Sequence, residues 1–232
     1  MKIPLLILIN LSLFVSTLHF ALLNPKIDLI DLKDQANAAN NRYCYSVPCP
    51  RYTLNPTKIP KPFEIRDYEN SYWLSTPWYP EVNGSCLANH QAIPPYYNHL
   101  LNYFEGLNSM GLRFERTRPV RIVSRPDPKE DGMLCAIRFY IPDMYPMHPP
   151  ASIVIDVILG WDKDRLCYVV GKRGPITWTS AKKVFKSMKA YLRRLSRSFP
   201  EDAEIIVDAF TGYGVSEDRR YMEVLVCQEG QF

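Results

Sequence analysis

The sequence predicts an α+β fold, a curved antiparallel β-sheet with two helices packed on it. Segments in which apolar and polar residues alternate, separated by turn residues, indicate about eight short strands. Two segments with apolar residues every three or four positions indicate amphipathic helices. Two strands precede and two follow each helix, which gives two halves of the same strand–strand–helix–strand–strand order, at about 63–141 and 152–227. Each helix can bury one apolar face against such a sheet.

The first half begins with the segments "FEIRDY" and "SYWLSTPW", which predict a hairpin with a tight turn at Glu69 and Asn70. The segment "IPPYYNHLLNYFEGL" predicts a helix that begins at a proline and ends near Gly106. The segments "LRFERTRPVRIVS" and "GMLCAIRFYIP" predict the next two strands. The apolar stripe of the helix comprises Tyr96, Tyr97, Leu100, Leu101 and Phe104.

The second half follows the prolines of "DMYPMHPP", which exclude both a helix and a central strand. The segments "ASIVIDVIL" and "RLCYVVGK" predict strands separated by the turn "GWDKD". The segment "TSAKKVFKSMKAYLRRLSRSF" predicts a helix with Thr179 or Ser180 as its N-cap. The segments "AEIIVDAFT" and "RRYMEVLVC" predict the final pair of strands.

The N-terminal residues 1–21 predict a secretory signal peptide, because a lysine precedes a long apolar run. A retained signal anchor is the alternative, since about 20 apolar residues can span a bilayer. Residues 22–62 contain several prolines and little periodicity, so they predict an irregular segment that leads into the domain.

Six cysteines follow the signal segment, which indicates disulfides formed in an oxidising compartment. Six cysteines allow fifteen pairings, among which the sequence cannot choose. The one local prediction is a Cys44–Cys49 bridge, because "CYSVPC" places two cysteines around a proline turn. Asn83, in "NGS", is a predicted N-glycosylation site. These features together predict a secreted protein.

Four segments resemble motifs of the SOUL, or heme-binding protein, family. They are "FEIRDYENSYWLST", "RTRPV", "FYIPDMYPMHPPAS" and "DAFTGYGVSEDRRYMEVLV", in the family's order and spacing from Phe63 to Val226. The resemblance assigns residues 63–228 to a heme-binding domain of this kind. It implies a distorted β-barrel of two pseudo-repeated halves, and a non-enzymatic protein that binds heme or a related tetrapyrrole on an apolar surface.

Three positions depart from the family motifs. Asp67 stands where some members have a histidine proposed to ligate the heme iron. Arg116 and Arg118 replace a methionine and an alanine, and on a strand these alternating residues would share one face. Leu225 replaces a tryptophan.

A non-covalent heme site requires a flat apolar slot with cations at its rim. Tyr97, Leu101 and Phe104 of the first helix are the candidate slot, and Arg116 and Arg118 are candidate partners of the propionates, because a guanidinium binds a carboxylate in bidentate fashion. The competing interpretation is that the helix residues belong to the core and that the arginines lie on a solvated strand face.

His99 and His148 are candidate iron ligands. The alternative is a hydrogen-bonded histidine for the first and an exposed linker histidine for the second. The histidines lack the spacing of a zinc site, and the sequence contains no CxxC pair.

The basic residues of the second helix, at 182–197, could contact an acidic surface such as phospholipid or sulfated glycan, but a solvated helix face is the favoured explanation. The net charge of +4 is too small to predict a nucleic-acid partner, and the secreted character argues against one. The sequence contains no GxSxG, P-loop, HExxH or Rossmann motif, so it does not predict an enzyme.

The sequence therefore predicts a secreted, non-catalytic carrier or scavenger of heme or another flat hydrophobic ligand. The alternative is a secreted interaction or extracellular-matrix protein that keeps the fold without binding heme. A membrane-active protein is a third hypothesis, which depends only on the basic helix.

Overall fold

A computed structural model gives the structure of the protein. It describes residues 44, 47–57, 59, 61–80, 86, 93–126, 133–142, 148–174, 177–195, 203–211 and 216–228. The predicted signal peptide at 1–21 and the predicted glycosylation site at Asn83 lie outside the described residues.

Nine strands and two α-helices make up the described part of the chain. The strands are β1 (Tyr52–Leu54), β2 (Phe63–Tyr68), β3 (Ser71–Trp78), β4 (Val120–Pro126), β5 (Met133–Ile141), β6 (Ile158–Asp162), β7 (Arg165–Arg173), β8 (Ile205–Ala209) and β9 (Tyr221–Cys227). The helices are α1 (Ile93–Phe104) and α2 (Trp178–Arg194), and a short 3-10 helix (Glu217–Arg219) precedes β9.

The strands form one antiparallel sheet in the order β1-β2-β7-β9-β8-β4-β5-β3-β6. The predicted α+β fold is confirmed, but the sheet is a curled half-barrel and not a barrel, because β1 and β6 each end it with one neighbour. If the labels β2–β5 and β6–β9 are exchanged, the order of these eight strands becomes the same order read from the other end of the sheet. The strand order is therefore symmetric between the two halves. The pseudo-repeat of the two halves remains a prediction, which superposition of the halves would test.

The direction of the curl follows from one contact. The Arg121 guanidinium of β4 lies 5.9 Å from the centre of the Tyr68 ring of β2. These strands stand four steps apart in the sheet, which is roughly 19 Å if the sheet were flat. The sheet therefore curls toward the face that carries these two side chains, and we call the space inside the curl the lumen.

Both helices pack on the outer face of the sheet. Leu74 and Ile137 of the sheet are fully buried in one core cluster with Leu100 and Tyr103 of α1. A second cluster joins Ile65, Tyr168 and Val170 to Met188 and Leu192 of α2. The core face of α1 thus includes Leu100 and Tyr103, whereas Tyr96, Tyr97 and Leu101 are half-buried.

Three sequence predictions of strand pairing and strand bounds were wrong. Segments β2 and β3 do not form a hairpin, because β2 pairs with β7 while β3 pairs with β5 and β6. The strand predicted from residue 112 begins only at Val120, since the backbone N–H groups of Phe114 and Arg118 donate to Phe104 and Pro48. The strand predicted at 151–159 begins at Ile158, because the Ser152 hydroxyl closes a turn.

Three disulfides connect the described residues. The sulfur atoms of the predicted pair Cys44 and Cys49 are 2.04 Å apart. The other two pairs are Cys86–Cys135 and Cys167–Cys227, of which the second joins β7 to β9. Three disulfides are typical of extracellular proteins. Among the described helices, none is both long and apolar enough to cross a membrane.

Helix α2 begins with a capping box at Thr177 and Ser180. The Ser180 backbone N–H donates to the Thr177 hydroxyl at 3.1 Å, and the Thr177 N–H donates to the Ser180 hydroxyl at 3.3 Å. The N-cap is therefore Thr177 and not Thr179 or Ser180, because the helix starts one residue before the predicted segment.

We expect Thr177→Ala to lower the free energy of unfolding by about 1 kcal/mol, because it removes the acceptor for a helix N–H. Urea denaturation followed by circular dichroism measures the change. Thr179→Ala is the matched control, since Thr179 is exposed inside the first turn and should be nearly neutral. Equal effects of the two substitutions would contradict the assigned cap.

Candidate functional site

The three predicted slot residues of α1 differ in exposure. Phe104 is 2% exposed, and its ring lies 5.5 Å from each of Phe114 and Phe139, so it belongs to the core. Tyr97 is half-buried, with its ring edge-on to Phe139 at 5.0 Å. Leu101 is also half-buried. Only Tyr97 and Leu101 of the predicted slot residues therefore present surface to a ligand.

The two predicted propionate partners lie in the irregular segment before β4 and do not alternate on a strand. Arg116 is exposed, with its Nη2 3.9 Å from Glu105 just beyond the C-terminal end of α1. Arg118 is half-buried, and its backbone N–H donates to the Pro48 carbonyl. The structure therefore brings Arg116, more than Arg118, to the end of the helix.

The two candidate iron ligands occupy different surroundings. His99 is half-buried in α1, and its Nδ1 atom is buried without a hydrogen-bond partner among the described residues. His148 is exposed, and its Nδ1 lies 2.9 Å from the Tyr72 hydroxyl oxygen. This hydrogen bond involves Nδ1, so the Nε2 atom of the His148 ring takes no part in it.

Asp67, at the place of the histidine found in some family members, is half-buried and accepts a hydrogen bond from the Asn55 side chain at 2.9 Å. It lines an open depression of about 360 Å³ together with Glu69, Asp164 and Arg165. Three carboxylates around this depression would repel the propionates of a heme. The depression is therefore a poor heme site.

An exposed apolar surface, which the sequence analysis missed, flanks the C-terminal end of α1. Residues 107–110 and 151–153 are joined by the bridge of Asn108 with Ser152 and by a 2.9 Å hydrogen bond from the Ser109 N–H to the Ala151 carbonyl. Five of the nine large exposed hydrophobic residues of the described chain lie on 107–110, on 153–155 or on the outer face of β6, and they are here called the apolar surface: Leu107, Met110, Ile153, Ile155 and Trp161. Ile158 is also exposed, but it alternates with Trp161 and shares the inner face of β6 with Asp162.

Aromatic and basic groups border the apolar surface. The Tyr72 ring lies 4.2 Å from the Trp161 ring, and Trp161 remains 49% exposed. The Tyr103 hydroxyl donates to the Pro150 carbonyl at 2.7 Å, which fixes the start of this segment against α1. Arg113 is exposed and packs beside Gly106, at the base of the loop that carries Leu107.

The lumen contains four charged side chains that are only 1–3% exposed: Arg66, Arg121, Asp208 and Glu223. Arg66 donates to the two Glu223 oxygens at 2.6 and 2.9 Å. Arg121 donates to the two Asp208 oxygens at 2.7 and 2.8 Å. Each guanidinium is therefore held by a bidentate carboxylate, the arrangement that best offsets the cost of burial.

Aromatic residues complete both ion pairs. The Arg121 guanidinium lies 4.0 Å from the centre of the Trp73 ring, and the Arg66 guanidinium lies 4.4 Å from that of Tyr52. The Tyr221 hydroxyl donates to Glu223 at 2.9 Å. Gly171 makes room for this phenol, since a Cβ there would overlap the Tyr221 hydroxyl. Among the described residues, the lumen thus combines contacting ion pairs and rings with a buried apolar cluster around Val169 and Leu225, and a flat ligand placed between the ion pairs would have to separate them.

The electrostatics of the lumen favour the ionised pairs. Burial alone would lower the pKa of Arg66, but Glu223 raises this pKa well above its ordinary value. Burial also raises the pKa of Tyr52 to about 12. Asp162, at the edge of the lumen, would have a raised pKa through burial, but its contacts with Arg138 and Arg165 lower the pKa below 3.8.

Helix α2 carries an exposed basic face. Lys183, Lys186, Arg193 and Arg194 are exposed, and the described helix contains no acidic residue. The predicted contact of this face with an acidic surface stays a prediction. Among the described residues, no group of three or more His, Cys, Asp or Glu side chains could hold a metal ion.

We expect Asp208→Asn to lower the free energy of unfolding by about 3 to 5 kcal/mol, because it leaves the buried Arg121 charge without its carboxylate. Denaturant titration measures the loss. Glu204→Gln is the control, since the Glu204–Arg125 pair spans 3.8 Å at the surface and should contribute less than about 1 kcal/mol. Similar losses in the two variants would contradict the central role of the lumen pair.

The lowered pKa of Asp162 predicts an acid-sensitive contribution to stability. Its charged form stabilises the fold above the ordinary pKa of 3.8, and this contribution is lost as the pH falls through the lower folded value. Asp162→Asn should therefore destabilise the protein at pH 6 more than at about pH 2. Urea midpoints at both pH values test this, and a pH-independent loss would be evidence against it.

Of three solved structures similar to this chain, only the first has a TM-score above 0.5 and supports the fold. An uncharacterized conserved protein from Listeria innocua has a TM-score of 0.52 at 11% identity, covering 72% of this chain and 92% of that one. A hydrolase from Listeria innocua has a TM-score of 0.44 at 11% identity, covering 86% and 100%. A putative transcription regulation protein from Staphylococcus aureus has a TM-score of 0.40 at 10% identity, covering 72% and 98%.

At these identities the structural resemblance concerns the fold alone. No curated protein matches the chain. The family comparison is specific: residues 47–225 match the family described as SOUL heme-binding protein. That match covers most of the chain, from before β1 into β9, and includes both helices and the apolar surface. The chain belongs to the SOUL heme-binding protein family.

Proposed function

We propose that the protein is a secreted, non-catalytic carrier of heme or another flat tetrapyrrole, which it binds on the apolar surface beside α1. The observation that carries the proposal is the concentration of exposed apolar side chains on 107–110 and 153–155, with Trp161 of β6 beside them. Soluble proteins rarely expose so many large hydrophobic residues together unless they bind something there. Membership of a heme-binding family favours a tetrapyrrole as that ligand.

The chemistry of the surface fits this ligand. A porphyrin offers two flat apolar faces, which bury exposed aliphatic and aromatic side chains, and Trp161 presents a ring that is 49% exposed. The propionates require cations at the rim, where Arg116 and Arg118 are the proposed partners and Arg113 adds a third cation near the C-terminal end of α1. Arginine binds a carboxylate through two parallel hydrogen bonds.

The other predicted residues take supporting roles in this proposal. Tyr97 and Leu101 extend the half-buried side of α1, and Phe104 holds the helix on the sheet from the core. Arg118 lies two residues beyond Arg116 and is the second proposed propionate partner. A signal peptide at 1–21 and a glycan at Asn83 belong to the same proposal, and three disulfides support an extracellular location.

The alternative is a secreted interaction or matrix protein that keeps the fold without binding heme. An exposed apolar surface would serve a protein partner as well as a porphyrin. The two hypotheses differ in one measurement, since only the first requires a saturable change in the Soret band of hemin. The absence of such a change at micromolar hemin would favour the alternative.

We expect the double variant Arg116→Ala, Arg118→Ala to bind hemin about tenfold more weakly or worse, because it removes charge-assisted hydrogen bonds to the propionates. Absorbance titration gives the Kd. Both side chains lie outside the core, so the fold should be kept, and circular dichroism verifies this.

Arg219→Ala is the matched control, because Arg219 is equally basic and exposed but lies in the 3-10 helix before β9. The control should bind hemin as the unaltered protein does. Hemin dimethyl ester, which lacks the carboxylates, should show no difference between the double variant and the control. An unchanged Kd for hemin in the double variant would mean that these arginines do not contact the propionates.

A further inference from the structure

We propose that His148 ligates the heme iron through Nε2, with Tyr72 as the residue that orients its ring. This inference rests on the proposed function, because it names the ligand within the same site. The proposed ligand, His148, lies outside the first-strand motif, in which Asp67 stands where some family members have a histidine.

The position of His148 supports the assignment. It is exposed and stands at the start of the segment that carries Ile153 and Ile155, two of the most exposed apolar residues of the described chain, at 63% and 80%. The Pro150 carbonyl accepts the Tyr103 hydroxyl hydrogen bond two residues later, so the backbone near His148 is attached to α1. The imidazole therefore borders the apolar surface from a fixed backbone.

The orientation of the ring comes from Tyr72. The Tyr72 hydroxyl oxygen lies 2.9 Å from Nδ1, and the two rings meet edge to face at 6.3 Å. When Nδ1–H donates to that oxygen, the proton stays on Nδ1 and the lone pair stays on Nε2. Histidines that bind metals commonly have this arrangement, in which the second ring nitrogen donates to a neighbouring acceptor.

Tyr72 is itself held in place by the sheet. It is half-buried in the register of β3 opposite Trp161 of β6, and its ring lies 4.2 Å from the Trp161 ring. A ligand that stacks on exposed Trp161 would thus lie beside the residue that orients His148. Coordination forms one bond, from the Nε2 lone pair to ferric iron, and displaces a solvent ligand without any change of oxidation state.

His99 is less suited to this role. It is half-buried in α1, its Nδ1 atom is enclosed, and its nearest aromatic contact is the Tyr96 ring at 6.4 Å. Among the described residues, no group forms a hydrogen bond with its buried Nδ1 atom. His99 therefore provides the matched control for the loss of an imidazole.

The test compares hemin with iron-free protoporphyrin IX, because only hemin can be ligated. His148→Ala should weaken hemin binding about tenfold or more and remove the histidine-ligated features of the Soret and EPR spectra. The affinity for protoporphyrin should stay within about twofold of the unaltered protein. His99→Ala should leave both affinities and the spectra unchanged.

Tyr72→Phe separates ligation from orientation. It keeps the aromatic ring and His148 but removes the hydroxyl, so it should keep histidine ligation while weakening hemin binding by roughly tenfold. In the free protein, long-range ¹⁵N–¹H correlation should show the Nδ1–H tautomer of His148. The opposite tautomer, or an unligated spectrum in the unaltered protein, would overturn the assignment.

The outcomes distinguish this inference from the proposed function. If hemin and protoporphyrin both bind and His148→Ala changes neither, the carrier function stands and the ligand assignment is wrong. If His148→Ala weakens both equally, His148 contributes packing and not iron ligation, which also overturns the assignment. If the unaltered protein binds neither compound, the proposed function fails and this inference fails with it.

Discussion

The bidentate ion pairs inside the curled sheet are the constraint on which the rest of the structure depends. Arg66 with Glu223, and Arg121 with Asp208, connect strands across the inner face at distances of 2.6 to 2.9 Å. A buried charge that lost its partner would cost several kcal/mol, so each pair restricts how the strands can be arranged. The apolar outer face is then left for the two helices.

The buried ion pairs of the lumen limit where a ligand can bind. A flat apolar ligand cannot enter the lumen without separating ion pairs that are nearly inaccessible to solvent. Ligand binding is therefore expected on the outside of the sheet, where the loop after α1 and the segment before β6 expose apolar side chains. Helix α1 packs on the outer face of the sheet and lies beside this apolar surface. It therefore carries core residues such as Phe104 and half-buried residues such as Tyr97.

Sequence patterns predicted the helices and most strands, because burial of one face gives a regular period. They failed where hydrogen bonds override that period, as at Ser152, and where strands pair across the sheet instead of with their neighbours. They also missed the apolar surface, since Ile153 and Ile155 alternate as buried strand residues would. The Tyr72–His148 contact joins residues 76 positions apart, which no local pattern reveals.

The central claim is that the ligand binds on the outer apolar surface and leaves the lumen intact. Titration of ¹⁵N-labelled protein with diamagnetic gallium protoporphyrin IX, followed by NMR, tests it most directly. The account predicts shifts in the amides of 107–113 and 148–161, with the Nε–H signals of Arg66 and Arg121 unchanged. Shifts of those two guanidinium signals, with the outer amides unaffected, would contradict it.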